Sequence, residues 1–423
     1  MVKRFFIFIR KRIYKEAGII SERLTPATVA VVRCDSYDVM AVEDAVKKGI
    51  DLLGGVKRFA HAAETILFKP NVLWGTDPAK CVVTHPVVLR AAVKAFMDTS
   101  AELVYGDSCA GLSKTVSAME KCGYPALLKS LRVSVASFDR GHDVEFPDGT
   151  VSKRLKIADA VIDADAVINL PKLKSHGLVR MTGAVKNCFG CIPRLEKGQQ
   201  HARFPDVFAF SRFLADVAAF VKPRLHIMDA IVAMEGNGPQ SGTPKKLGVL
   251  LFSNDPVALD TVACRLINLA PEYVPTIAAG VRRGLGVSDA SLITMIGDTV
   301  EEVVDRSFKV VRKPPEKIVT TTLLGNIRKY FLTSRPVIMT KKCSKCGRCV
   351  SVCPLLPRAI EKKSDRSVPR YNYRLCIRCY CCHEVCPSEA IVIRKTVLGQ
   401  LLPPVAYISL FIANKIVRRR NKA

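Results

Sequence analysis

The sequence predicts an α/β protein: a mostly parallel sheet with helices on both faces, followed by a small α+β module built on cysteines. Three observations predict it. From residue 27 to about 310, short apolar runs alternate with amphipathic stretches, as strands joined by helical crossovers do. Nine of the 16 cysteines crowd between Cys343 and Cys386. The length of 423 residues suits two or three domains, and 49% hydrophobic with 24% charged residues excludes wholesale disorder.

The candidate strands are Thr28–Val32, Thr65–Phe68, Ala101–Tyr105, Ala166–Leu170, Leu225–Met228 and Leu247–Phe252. The helical patterns are Val42–Leu53, Val87–Phe96, Pro205–Phe220 and Ala258–Ile267. In such sheets ligands bind beyond the carboxyl ends of the strands. Five strands end there in Lys, Asp or His: Lys69-Pro70-Asn71, Gly106-Asp107-Ser108, Lys172 to His176, Asp229, and Asp255-Pro256. Turn preference explains the Pro, Gly and Asp. It does not explain the lysines, which favour a shared polar site.

The stretch from Pro171 to Gln200 holds Lys172, Lys174, His176, Arg180, Lys186, Asn187, Arg194 and Lys197 against one acid, Glu196. Read as a long loop, it suggests an ordered lid over an anionic ligand, with a solvated basic surface as the bland alternative. Glu235 to Gly242 is a second glycine-dense loop, but it lacks the order of a nucleotide or dinucleotide motif. No flavin or nucleotide motif is present. His85 reads as opening the helix from Val87, with a ligand or proton-carrying role as the alternative. The lysines around His176 would lower its pKa and favour the neutral base. Cys188 and Cys191 read as packing cysteines, with a redox pair as the alternative.

The cysteine run reads Cys343-x2-Cys346-x2-Cys349-x3-Cys353-Pro354, then Cys376-x2-Cys379-x2-Cys382-x3-Cys386-Pro387. This is the spacing of bacterial two-cluster ferredoxins, in which the fourth cysteine serves the other cluster. It assigns Cys343, Cys346, Cys349 and Cys386 to one four-iron–four-sulfur cluster, and Cys376, Cys379, Cys382 and Cys353 to a second. The fourth cysteine of each run is expected to start a helix, with Pro354 and Pro387 in its first turn. Zinc is the alternative, but zinc knuckles come as paired C-x2-C. Cys381 is read as a non-ligand. From Asn326 onward, 21 Lys and Arg face four Asp and Glu, a basic shell that raises cluster potentials.

The segment 341–393 resembles the two-cluster ferredoxins, which implies electron transfer. The order Lys69-Pro70-Asn71, Thr84-His85-Pro86, Gly106-Asp107-Ser108, Pro171 to His176, Thr182 to Asn187, Asp229 to Val232, Glu235 to Pro239 and Asp255 to Asp260 carries a second resemblance. It is similar to a family of prokaryotic iron–sulfur proteins whose large domain has no known function and is often followed by a ferredoxin module. That resemblance implies an architecture and a redox setting, and supplies no substrate.

The expected organisation is a basic amphipathic extension (1–26), an α/β domain (27–325), a linker (326–341), a two-cluster ferredoxin domain (342–393) and an apolar, basic tail (394–423). The net charge of +27 asks for anionic partners. Phe5–Ile9 is too short for a secretory signal. Thr396–Asn414 is uncharged but broken by Pro403-Pro404 and flanked by basic residues. That favours an interfacial helix on an anionic membrane over a span, with docking onto protein as the alternative. Nucleic acid is not expected, since no stacking platform accompanies the basic residues. The expected location is cytoplasmic, or peripheral on the inner face of the membrane. The leading function is an oxidoreductase passing electrons between the clusters and an anionic substrate or cofactor, fed by a redox partner protein. His176, Asp107 and Lys186 are the candidate catalytic groups. Lys69, Asn71, Lys172, Lys174, Asn187 and Asp229 are the candidate binding groups. The alternative is a non-enzymatic electron carrier or metallocofactor assembly factor.

Overall fold

A computed structural model of the chain describes residues 25–109, 115–194, 196–315, 329–331 and 333–396. The N-terminal extension and the tail from residue 397 lie outside the described residues.

The α/β part is one sheet. Its strands are β1 (Ala27–Arg33), β2 (Thr65–Pro70), β3 (Glu102–Tyr105), β4 (Ser134–Val135), β7 (Ala166–Leu170), β8 (Lys172–His176), β9 (Arg180–Thr182), β10 (Leu225–Glu235), β11 (Thr243–Ser253) and β12 (Ile293–Gly297). A separate hairpin pairs β5 (Gly141–Glu145) with β6 (Arg154–Ala158). The order across the sheet is β12-β1-β11-β10-β7-β2-β3-β4, with β8 joining β10 and β9. Most neighbours are parallel. β11 runs antiparallel to both β1 and β10, and β8 to β9.

Both faces of the sheet are buried, which is why its strands read as continuous apolar runs. Along β2, Leu67 packs into one core while Ile66 and Phe68 pack into the other. The helices Val39–Leu52 and Pro86–Phe96 cover the second face, and Val207–Val221 and Pro256–Leu266 the first. The first of these lies close: a Cβ on Gly49 would come 2.3 Å from the Phe252 ring. Each starts on a side chain that accepts from its free amides: Asp38 from Ala41, His85 from Val87, Asp206 from Ala209, and Asp255 from Val257 and Ala258. His85 and Asp255 are thus helix caps, as turn chemistry suggested.

Two expectations are corrected. Pro171–Gln200 is not a lid. Its first part is the buried strands β8 and β9, and its later part holds the helices Ala184–Asn187 and Glu196–Arg203. β8 enters the sheet with lysine side chains, which no strand propensity signals. The fourth cysteines do not start helices either. The short helices Arg348–Ser351 and Cys381–Glu384 come before Cys353-Pro354 and Cys386-Pro387, so those prolines follow helix ends, where proline cannot continue a helix.

The cysteine module is closed by two antiparallel pairs: β13 (Arg335–Ile338) with β16 (Ile391–Arg394), and β14 (Ile360–Glu361) with β15 (Arg370–Tyr371). β13 lies in the stretch read as linker. The module's buried apolar cluster is small: Cys349, Cys382 and Cys386 with Ile360, Ala390 and Ile391. Among the described residues no helix is long and apolar enough to cross a membrane.

Candidate functional site

The strand-end residues divide into two groups. The first is a closed network behind the site. The Lys172 ammonium lies 2.8 Å from Asp229 and donates to the Tyr37 hydroxyl, also at 2.8 Å. Tyr37 donates to Asp229 at 2.9 Å, and the His85 amide donates to its other oxygen at 2.9 Å. The His85 ring stacks on Tyr37 with centroids 3.6 Å apart. Burial holds His85 down to about 4, so it is neutral. Asn71 donates to the Val82 carbonyl, and Asn187 to the Asn169 side chain at 2.7 Å. These groups are satisfied within the protein.

The second group faces the cysteine module. The Lys69 ammonium sits 2.8 Å from Asp107, with both side chains buried. Gly190 packs over this pair so tightly that a Cβ there would meet Asp107 Oδ1 at 1.9 Å. Lys174 is buried and donates to the Val82 carbonyl at 2.7 Å. Burial, then the charge of Lys186, pulls Lys174 down to about 7. Lys186 stands on the turn after Gly183, where Asp260 accepts from the Ala184 and Val185 amides at 2.6 and 3.3 Å. Burial lowers the Lys186 ammonium too, against the charge of Glu384. Among the described residues the Lys186 ammonium makes no hydrogen bond; it lies over the Phe189 ring at 5.9 Å. Lys197 donates to the Ser108 carbonyl, and burial brings it down to about 8. Its ammonium feels Lys69 and Lys186, so the lysines share one field.

His176 joins the two units. Its Nδ1 accepts from the Leu178 amide at 3.0 Å, which puts the proton on Nε2. Nε2 faces Glu384 Oε1 at 3.2 Å without the alignment of a full hydrogen bond. Burial, then Lys186, holds His176 down to about 4, as the lysines around it suggested. Burial pushes Glu384 up, but His176, Lys186 and His201 outweigh it and keep it a carboxylate. Glu384 lies between Cys382 and Cys386, so this contact brings the cysteine loop to the lysines. Two further contacts pin the module. Arg348 lies over the Trp74 ring at 4.9 Å, and a Cβ on Gly177 would come 2.3 Å from Ile393.

The module's sulfurs frame two cavities. One is lined by Cys343, Cys346, Cys349 and Cys386. The other is lined by Cys353, Cys376, Cys379 and Cys382, with Cys381 beside them. Among the described residues, no three metal-ligating side chains gather closely enough for a single ion. Donors already point at sulfur: Ala390 N to Cys386 at 3.2 Å, Lys345 N to Cys343 at 3.4 Å, and Tyr371 Oη to Cys382 at 3.2 Å. Four thiols around an enclosed space, with donors aimed at the sulfurs, fit a cluster.

Comparison with known proteins bears on both units. Residues 335–387 match a 4Fe-4S dicluster domain, and residues 66–265 match a domain of unknown function, DUF362. The thylakoid-associated protein sll1697 of Synechocystis sp. is 35% identical over 280 residues, 66% of this chain and 86% of that protein. The chain belongs to the DUF362 family. Its fused module is similar to the uncharacterized ferredoxin MJ0722 of Methanocaldococcus jannaschii, 34% identical over 58 residues, 14% of this chain and 75% of that protein. The module binds iron–sulfur and serves electron transfer. A lactate racemase apoprotein from Thermoanaerobacterium thermosaccharolyticum aligns at a TM-score of 0.37 and 12% identity, over 58% of each chain. That likeness carries no functional argument.

Of the residues singled out in the sequence, the structure sets His176 against the module, puts Lys174 and Lys186 in the field of its Glu384, and closes Lys69 on Asp107. It places Lys172, Asp229, Asn71 and Asn187 in the bonded network behind. Cys188 and Cys191 are buried, and burial pushes both thiols up. The Glu235–Gly242 loop turns β10 into β11. The close approach that Gly238 allows is to the chain's own Ser175, whose carbonyl a Cβ would meet at 2.1 Å. Sequence reasoning missed Tyr37, Asp260, His201 and Glu384. Two of them left a signal: Asp260 as the end of the Asp255–Asp260 motif, and Glu384 as one of four acids in a basic segment.

Proposed function

We propose that the protein is an oxidoreductase that passes electrons between two four-iron–four-sulfur clusters and an anionic substrate or cofactor held by Lys174, Lys186 and Lys197. Cys343, Cys346, Cys349 and Cys386 hold one cluster. Cys353, Cys376, Cys379 and Cys382 hold the other. When bound, the clusters supply one-electron steps, and the chain's own residues bind the anion and carry protons. Lys186 is the principal anchor, because among the described residues its ammonium makes no hydrogen bond. His176 carries a proton at Nε2, and Asp107 holds Lys69 in place. The observation that carries this reading is the approach of His176 and Glu384, 3.2 Å apart. It sets the cysteine loop against the lysines.

A redox partner protein docks where Cys346 is exposed among Lys341, Lys342, Lys345 and Arg348. That surface suits an acidic partner. The protein works in the cytoplasm, with the basic ends on an anionic membrane surface. The relative's description as thylakoid-associated supports membrane contact. Sedimentation with anionic and neutral vesicles tests it.

The main test is anaerobic reconstitution, followed by turnover with whatever small anion copurifies. Activity unchanged in C343S and C376S proteins refutes the reading. A second reading, an electron carrier or assembly factor, is favoured by one feature: Glu384 already answers part of the lysine charge. It predicts that no small anion copurifies.

A further inference from the structure

Lys345 and Arg378 hold the same place in the two cysteine runs, just before the second cysteine of each. Both take a left-handed backbone, with φ of 59° and 62°. Their side chains then differ. Lys345 is exposed, beside the exposed Cys346. Arg378 is 0% exposed. Among the described residues none of its three guanidinium nitrogens has a hydrogen-bond partner. The group lies over the Tyr373 ring at 5.2 Å. In the chain Arg378 lies between Cys376 and Cys379, two of the sulfurs that line the second cavity.

An arginine keeps its charge in proteins. A buried charge without a counter-ion is strongly unfavourable. Glu384, the nearest acid in the sequence, faces His176 instead. The anion that fits is the cluster itself, which carries −2 when oxidised with four thiolates, and −3 after one electron.

We infer that Arg378 is the counter-charge of the cluster held by Cys353, Cys376, Cys379 and Cys382, and that it makes this cluster the higher-potential one of the pair. The inference rests on the two-cluster reading above. A fixed cation favours the more negative, reduced form. Inside the protein its field is little screened, whereas the Lys345 charge stands in solvent, where salt screens it. Tyr371 adds a hydrogen bond to Cys382 at 3.2 Å. The buried Lys329, which donates to the Arg374 carbonyl at 3.1 Å, adds a second charge. With both clusters bound, one electron would pass from the cluster beside the exposed Cys346 to the one beside Arg378, and no bond would form or break. This second cavity is also the one bordered by Cys381, three residues before Glu384, which faces His176. The gradient runs from the docking face toward the lysines.

The test is an EPR-monitored redox titration of the anaerobically reconstituted full chain, with iron and sulfide counted first. Wild type is expected to show two separated one-electron couples. In R378Q the higher couple falls. At its wild-type midpoint the reduced-to-oxidised ratio drops at least about tenfold, which is 59 mV for one electron. K345Q moves neither couple by more than about threefold, and R378K returns the higher couple to within about threefold of wild type. A C346S/C349S protein, lacking the exposed cluster, keeps the higher couple, and it carries the test alone if R378Q leaves its cavity unloaded. Loaded protein whose couples shift no more in R378Q than in K345Q overturns the inference and leaves the cluster reading standing. So does a C346S/C349S protein that keeps the lower couple. Protein that takes up no iron and sulfide overturns both.

Discussion

Asp107→Ala removes one partner of a fully enclosed ion pair. Lys69 is 0% exposed and the Asp107 side chain 5%, with 2.8 Å between charges. Truncating one partner of such a pair costs about 3–5 kcal/mol, because the other charge is left buried alone. Asp107 also accepts from the Val72 amide at 2.9 Å. Losing that acceptor adds an orphaned donor worth about 1–3 kcal/mol, not fully additive. The expected loss is about 4 kcal/mol. Trp74 is the single tryptophan and lies just beyond β2, so its fluorescence reports urea unfolding of this region. A K69M/D107L double variant removes both charges and is expected to recover most of the loss, since apolar pairs of similar size often replace buried ion pairs without penalty. A D107A cost below about 1 kcal/mol, the value of an exposed pair, would refute the reasoning. So would a double variant as unstable as the single one.

Gly190→Ala is expected to lose about 1–3 kcal/mol or more by overpacking, since its Cβ would lie 1.9 Å from Asp107 and 2.5 Å from Lys69 Nζ. Gly55→Ala meets nothing within 4 Å and strains only its φ of 84°. Urea midpoints that rank the two the other way contradict the packing account. Burial holds His201 down to about 4 and His226 to about 3, below the unfolded value of 6.5. The unfolded chain then binds more protons between those values. Their contribution is complete above pH 6.5 and fades as pH falls toward 4, by up to about 1.36 kcal/mol per pH unit for each histidine. Equal urea midpoints at pH 7 and pH 4.5 would contradict this. Anaerobic chelation is expected to melt the cysteine module alone, because half of its small core is cysteine. Two calorimetric transitions, only one of them chelator-sensitive, are the expected record, with a change in Trp74 emission as Arg348 leaves its ring.

The sheet was legible because its strands are buried on both faces, so Thr65–Phe68 and Ala166–Leu170 stand out as unbroken apolar runs. The cysteine runs were legible because their spacing is local. β8 was not: Lys172 and Lys174 are buried in a strand only because Asp229, Tyr37 and Val82 meet them there, and those partners come from distant parts of the chain. β9 and β4 are too short to leave a periodic signal. Placing helices after the Cys-Pro pairs failed for a related reason, since four-residue helices show no hydrophobic period. The lysines at the strand ends were visible as a cluster. Their division into a bonded network and a group facing the module depends on tertiary contacts, and the His176–Glu384 contact joins residues from separate domains.

Stopped-flow reoxidation tests the central claim most directly. Dithionite-reduced, cluster-loaded protein, stripped of its small molecule, is mixed with the anion recovered from anaerobic preparations, and cluster absorbance is followed in wild type and K186Q. The account predicts that the anion reoxidises the clusters and that K186Q slows this at least about tenfold at subsaturating anion, the loss of one charge-assisted contact. Reoxidation at the same rate in both proteins, or none in either, would contradict it.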